Sequence, residues 1–164
     1  MSKTATYSLI ASTTLGSAAA TTTFSSIPAT FTDLIMVATL SSSGTTYSGI
    51  RFNGDTGSNY SLTDLYGTGS SAISSRQSNI TGGGSGDTSG TGTVLTYQIN
   101  DYANTTTYKT TISRNGSSST NVVASTCLWR STAAINSITI YTGTADNWII
   151  GSTFKLYGIQ AGNA

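Results

Sequence analysis

The sequence predicts an all-β chain, an antiparallel two-sheet β-sandwich, on three observations. Short runs rich in β-branched and aromatic residues recur at intervals of about ten to fifteen positions. Gly, Ser, Asn and Asp separate them, as turn chemistry requires. No segment sustains a helical apolar period for more than one or two turns.

The strands come in order. Tyr7–Leu15 opens the series and Thr22–Ser26 comes second. Pro28, the only proline, sits in SSIPATFTD, where its fixed φ and missing N–H suit a connection. Asp33–Leu40 is next, and its run Leu34-Ile35-Met36-Val37 is apolar on both faces. A sandwich strand with one face to water should alternate, so another part of the chain or another subunit is expected to cover it. Gly49–Asn53, Ala72–Ile80, Thr93–Asn100, Tyr108–Arg114 and Asn121–Trp129 continue the series. In Ile135–Tyr141, Ile138 and Ile140 point one way and their polar partners the other, the pattern of a half-buried strand. Thr153–Gln160 closes the set, and eight to ten such strands suit two packed sheets. Thr81–Gly92, TGGGSGDTSGTG, has six glycines and no apolar residue, which predicts a mobile loop inside one domain spanning 1–164.

Composition narrows the function. Only 8% of residues are charged, against about a quarter in an average soluble domain, and Ser and Thr exceed a third of the chain. Hydroxyls therefore solvate this surface. Seven basic and six acidic side chains leave a net charge of +1, so no field steers the chain to nucleic acid or to an anionic membrane, and neither is expected as a partner. No apolar run approaches the ~20 residues of a membrane span. Ser and Thr break the N-terminal apolar run too often for a signal peptide. The four Asn-x-Ser/Thr triplets, at Asn59, Asn79, Asn104 and Asn115, match chance in so hydroxyl-rich a chain.

Catalysis is not expected. The chain has no His and no Glu, the groups that with paired carboxylates or an activated Cys carry most acid–base and nucleophilic work. Nothing in the spacing of Asp33, Asp55, Asp64, Asp87, Asp101 and Asp146 pairs two carboxylates across a cleft. Cys127, the only cysteine, alternates with Ser125 and Trp129 in a strand run, which predicts a buried, inert thiol. It has no disulfide partner, and without His a Cys/His zinc site is excluded. No cofactor is expected.

The stretch RFNGDTGSNYS, residues 51–61, gathers two glycines, two asparagines and an aspartate. One carboxylate makes Asp55 at best a weak calcium anchor, and YSLTDLYGTGS after it is no helix to complete a phosphate cradle. The preferred reading is a structural turn of Asn53, Gly54, Asp55, Gly57 and Asn59, with Asx side-chain bonds and both glycines free to take positive φ. Carbohydrate binding is the non-enzymatic alternative: nine tyrosines and two tryptophans can stack on sugar faces, and Trp148 is the candidate glycan contact.

Four segments taken in order and spacing carry a resemblance: 7–40 with IPATFTDL, FNGDTGSNYS, INDYANTTTYKTTIS with LWRSTAAINSITIY, and GSTFKLYGI. Together they resemble a family of small virion proteins of tailed bacteriophages, found as free-standing capsid decoration or cement proteins and as tail-fibre modules. The resemblance spans most of the chain and fails mainly at 81–92. It implies a jelly-roll-like β-sandwich without enzymatic chemistry, in which Asp33, Asn53, Asp55, Tyr60, Tyr102, Lys109 and Trp129 are turn anchors and packing residues. A chain that starts at Met and carries no shaft, collagen-like or coiled-coil segment favours the decoration role over a fibre tip. The resemblance further implies the outer surface of the capsid as location and the major capsid protein as partner. Self-association, with a trimer favoured, would cover the doubly apolar run; Tyr7, Leu9, Ile35 and Val37 are the candidate interface, and residues 1–14 a candidate arm or edge strand.

Overall fold

The computed structural model describes residues 6–88, 92–116 and 121–160. Its strands are β1 (Tyr7–Thr14), β2 (Thr21–Phe24), β3 (Asp33–Leu40), β4 (Thr46–Phe52), β5 (Tyr60–Gly67), β6 (Ala72–Ile80), β7 (Gly83–Thr88), β8 (Thr93–Ile99), β9 (Lys109–Gly116), β10 (Val122–Trp129), β11 (Ile138–Thr142) and β12 (Thr153–Ile159). They form two antiparallel sheets, an eight-stranded one in the order β1-β12-β3-β8-β9-β10-β5-β6 and a four-stranded one in the order β2-β11-β4-β7. From β1 to β5 the chain changes sheet at every strand, which presses the two sheets over one core.

Alternation builds the core. On β3, Leu34, Met36, Ala38 and Leu40 are buried and meet Phe154 and Leu156 of β12 and Leu95, Tyr97 and Ile99 of β8. From the smaller sheet come Phe24, Ile50, Phe52, Ile138 and Ile140. The apolar run Leu34–Val37 therefore splits, with Leu34 and Met36 turned inward and Ile35 and Val37 half-buried on the outer face.

Three expectations are corrected. The glycine-rich stretch is not a loop throughout: Gly83–Thr88 is β7, paired with β4 from Ile50↔Gly83 to Thr46↔Thr88, while residues 89–91 lie outside the described ones. Glycine is required there by packing, since a Cβ on Gly83 would lie 2.6 Å from Cys127 Sγ and 2.9 Å from Ile50 Cγ2. Tyr60–Gly67, absent from the expected strands, is β5, held between β10 and β6. Ile138, not Ile135, begins β11; Ile135 is buried in the connection before it, its N–H donating to the Tyr102 carbonyl. Of the candidate arm, Tyr7–Thr14 is the edge strand β1, paired with β12, and residues 1–5 lie outside the described ones.

Candidate functional site

The stretch 51–61 is a cross-braced turn. Asn53 and Gly54 both have positive φ, 52° and 69°, and the Asp55 N–H donates to the Phe52 carbonyl at 2.9 Å, a tight turn of the kind Asn-Gly favours. Asp55 then organises the rest of the stretch. Its Oδ1 accepts from the Gly57 N–H at 2.8 Å, and its Oδ2 from Asn59 Nδ2 at 3.0 Å and from the Trp129 indole Nε1 at 2.7 Å. The Trp129 bond is the main reason its carboxyl is held below the ordinary aspartate pKa, desolvation opposing it and Asn59 and Gly57 assisting. A calcium ion would have to displace these donors, so the calcium candidate is set aside.

Two details depart from the sequence reading. Gly57 does not take positive φ; a side chain there would crowd Asn59 Nδ2 at 2.9 Å and Asp55 Oδ1 at 3.1 Å. Asn53 braces a distant loop rather than its own turn: Oδ1 accepts from the N–H groups of Asn136 and Ser137, and Nδ2 donates to the Ala134 carbonyl. Phe52, Tyr60 and Trp129 pack below with ring centroids 5.5–6.3 Å apart, and Phe52 N–H donates to the Tyr60 hydroxyl at 3.0 Å.

The remaining motif residues also brace connections. Asp33 Oδ1 accepts from the Asp101 N–H at 2.7 Å. The buried Tyr102 hydroxyl donates to the Pro28 carbonyl and accepts from the Phe31 N–H. Lys109 is buried, its ammonium donating to the carbonyls of Thr107 and Thr132, and burial lowers its pKa against the opposing pull of Asp101. Cys127 is buried, and burial above all, then Asp64, pushes its thiol up to about 12, far from a reactive thiolate. Among the described residues no three His, Cys, Asp or Glu side chains gather around one metal position.

Trp148, the candidate glycan contact, is fully buried. It packs on Phe154 at 5.0 Å between centroids, and its backbone bridges Ala19 and Ser42. No ligand reaches a ring in that position, so the assignment is corrected.

Tyr7, Leu9, Ile35 and Val37 are brought together on the outer face of the larger sheet. Cross-strand partners share a face, and one row across it reads Leu9, Tyr157, Ile35, Gln98 and Ile112. The next runs Lys155, Val37, Thr96, Arg114, Ala124 and Leu65. Tyr7, Leu9, Leu65, Val94, Ile112 and Val122 are each more than half exposed. Among the described strand residues of this face the cations are Lys155, Arg114 and Arg76, and the one carboxylate is Asp33.

On the opposite side of that sheet the smaller sheet ends at β7, which approaches β5 where Gly84 meets Leu62 and goes no further across the β5–β6 hairpin. The uncovered step is a cleft of about 650 Å³, floored by Leu62, Asp64 and Tyr66 of β5 and Gln77 of β6, with Gly82, Gly83 and Gly84 along one wall and the rings of Tyr47 and Tyr141 above it. Tyr141 lies across Gly49, where a Cβ would come within 2.2 Å of its ring, and the Arg51 guanidinium sits 3.9 Å from the ring centroid. Tyr47 lies on Gly143 in the same manner. Nothing in the sequence gathers these residues, which come from five strands and a turn. Comparison with known proteins adds nothing to this geometry: no family model and no curated protein matches the chain.

Proposed function

We propose that the chain is a non-catalytic structural protein of a tailed-phage virion that decorates the assembled head, setting the outer face of its larger sheet against the major capsid protein. The observation that carries the reading is that face itself: broad, uncovered by the chain's described residues, and studded with Leu9, Ile35, Val37, Leu65, Ile112 and Val122. Exposed apolar patches of this kind mark protein contacts. Lys155, Arg114 and Arg76 among them suit a partner surface that is apolar with carboxylates at its rim.

The mechanism is linkage. A protein that binds only the assembled shell, across the seam between capsid subunits, stabilises it by mass action, because separated subunits do not present the composite site. Three copies around a local threefold are the proposed arrangement, with the open backbone edge of β1 and its Tyr7 and Leu9 at the seam between copies.

The test adds purified protein to undecorated capsids. Capsid melting should rise, sedimentation should report a trimer, and Leu9→Asp with Ile112→Asp should abolish the capsid effect while the protein remains folded. A monomer at high concentration that leaves capsid melting unchanged sinks the proposal.

A further inference from the structure

We propose that the cleft between β7 and the β5–β6 hairpin is a binding site for a short neutral oligosaccharide. This inference is independent of where the protein resides and of the sheet face that carries the preceding proposal.

The cleft is built rather than left over. Its volume of about 650 Å³ falls within the range of small-molecule sites, roughly 300–1,000 Å³. The backbone of Gly82, Gly83 and Gly84 forms its wall with no side chain to fill it, and that strand is pinned where it stands: Cβ atoms would meet the Tyr141 hydroxyl at 2.4 Å on Gly82 and Leu62 Cδ2 at 3.0 Å on Gly84. As an edge strand, β7 has β4 as its one ladder partner among the described strands, so half of its backbone groups face away from that ladder.

The lining chemistry selects the ligand. Tyr47 and Tyr66 offer flat apolar rings ending in hydroxyls, the combination that stacks on the C–H face of a pyranose while bonding its rim, and Tyr141, its ring held between Gly49 and Arg51, adds an edge and a hydroxyl. Asp64 Oδ1 accepts from the Ser125 hydroxyl at 2.5 Å, which fixes the carboxylate, and among the described residues Oδ2 has no donor, leaving it to accept a ligand hydroxyl. Gln77, exposed on β6, adds an amide that both donates and accepts. Among the described lining residues there is no cation, and Arg51 behind them is engaged with the Tyr141 ring and the Thr81 carbonyl, so a phosphate or an acidic sugar would meet the Asp64 carboxylate without a cation free to pair with it. A wholly apolar ligand would strip water from that carboxylate and return nothing. A neutral polyol with apolar faces satisfies both demands.

The probes are neutral gluco-, galacto-, manno- and N-acetylglucosamine-type tetrasaccharides, titrated into isotopically labelled protein by NMR. At least one should shift the amides of Gly82, Gly83, Gly84 and Gln77 at millimolar concentration or below. Tyr47→Ala and Asp64→Asn should each weaken it about tenfold or more, the scale of losing a stacking platform or a charged hydrogen bond. Gln77→Ala, at an exposed strand position, should weaken it less and serves as the variant that leaves the fold alone; Leu9→Asp on the far face should leave it unchanged. No shift at the cleft with any probe, binding indifferent to both Tyr47→Ala and Asp64→Asn, or equal affinity for an acidic oligosaccharide overturns the proposal.

Discussion

Replacing Asp55 with alanine removes three N–H partners at once, and their surroundings set the cost. The bond to the Gly57 N–H is a local cap, whose loss costs about 0.5–2 kcal/mol. The bond from Trp129 Nε1 is different in kind: Trp129 is 3% exposed, so deleting its acceptor strands a buried donor at about 1–3 kcal/mol. Asn59 Nδ2 is at the surface and turns to water at little cost. Asp55→Ala should therefore destabilise by about 2–4 kcal/mol, or about 5–15 °C of melting temperature in a chain of this size. Urea unfolding followed by tryptophan fluorescence measures it, and Trp129→Phe in a double-mutant cycle isolates the pair, with an expected coupling of about 1 kcal/mol or more. The carboxyl's lowered pKa fixes the pH dependence. Its contribution is full above the unfolded value of 3.8 and is lost as pH falls through the lower folded value, so the acid limb of the stability curve should flatten in Asp55→Ala. A loss below about 0.5 kcal/mol, with an unchanged acid limb, would refute a braced carboxylate.

Other outcomes rest on the same packing. Gly83→Ala pushes a methyl into Cys127 and Ile50 and should cost about 1–3 kcal/mol in chemical denaturation, whereas Gly16→Ala, with open space around it, should stay within about 0.5 kcal/mol. Cys127 should react with thiol reagents only at the rate of unfolding, which a denaturant titration of the labelling rate will show. Lys109 should resist amine acylation while exposed Lys155 is modified, as peptide mass spectrometry of briefly treated protein will resolve.

Strands whose signal is local are legible from the residues alone. Asp33–Leu40 and Ala72–Ile80 stand with the ends that their residue types and flanking turns indicate, and β-branched enrichment finds β1, β8, β9, β10 and β12 to within two residues at each end. Tyr60–Gly67 escapes such a reading because Asp64 and Gly67 weaken its pattern; it is a strand because β10 and β6 supply partners on both sides. Gly83–Thr88 escapes it because glycine has no strand propensity to read, and its place depends on the close approach that only glycine permits.

By itself, then, the sequence determined the class, an antiparallel sandwich with a hydroxyl surface and no His or Glu, because alternation, turn residues and composition are properties of neighbours along the chain. It also marked the turn at Asn53-Gly54 and the apolar parity of β3. Only the tertiary structure decided that Asp55 serves Trp129, seventy-four residues away, that Trp148 is core, and that the smaller sheet ends early enough to leave a cleft. Each depends on which strands lie side by side across the sandwich, and pairing over such separations is chosen by the best total burial of both sheets, not by any local segment.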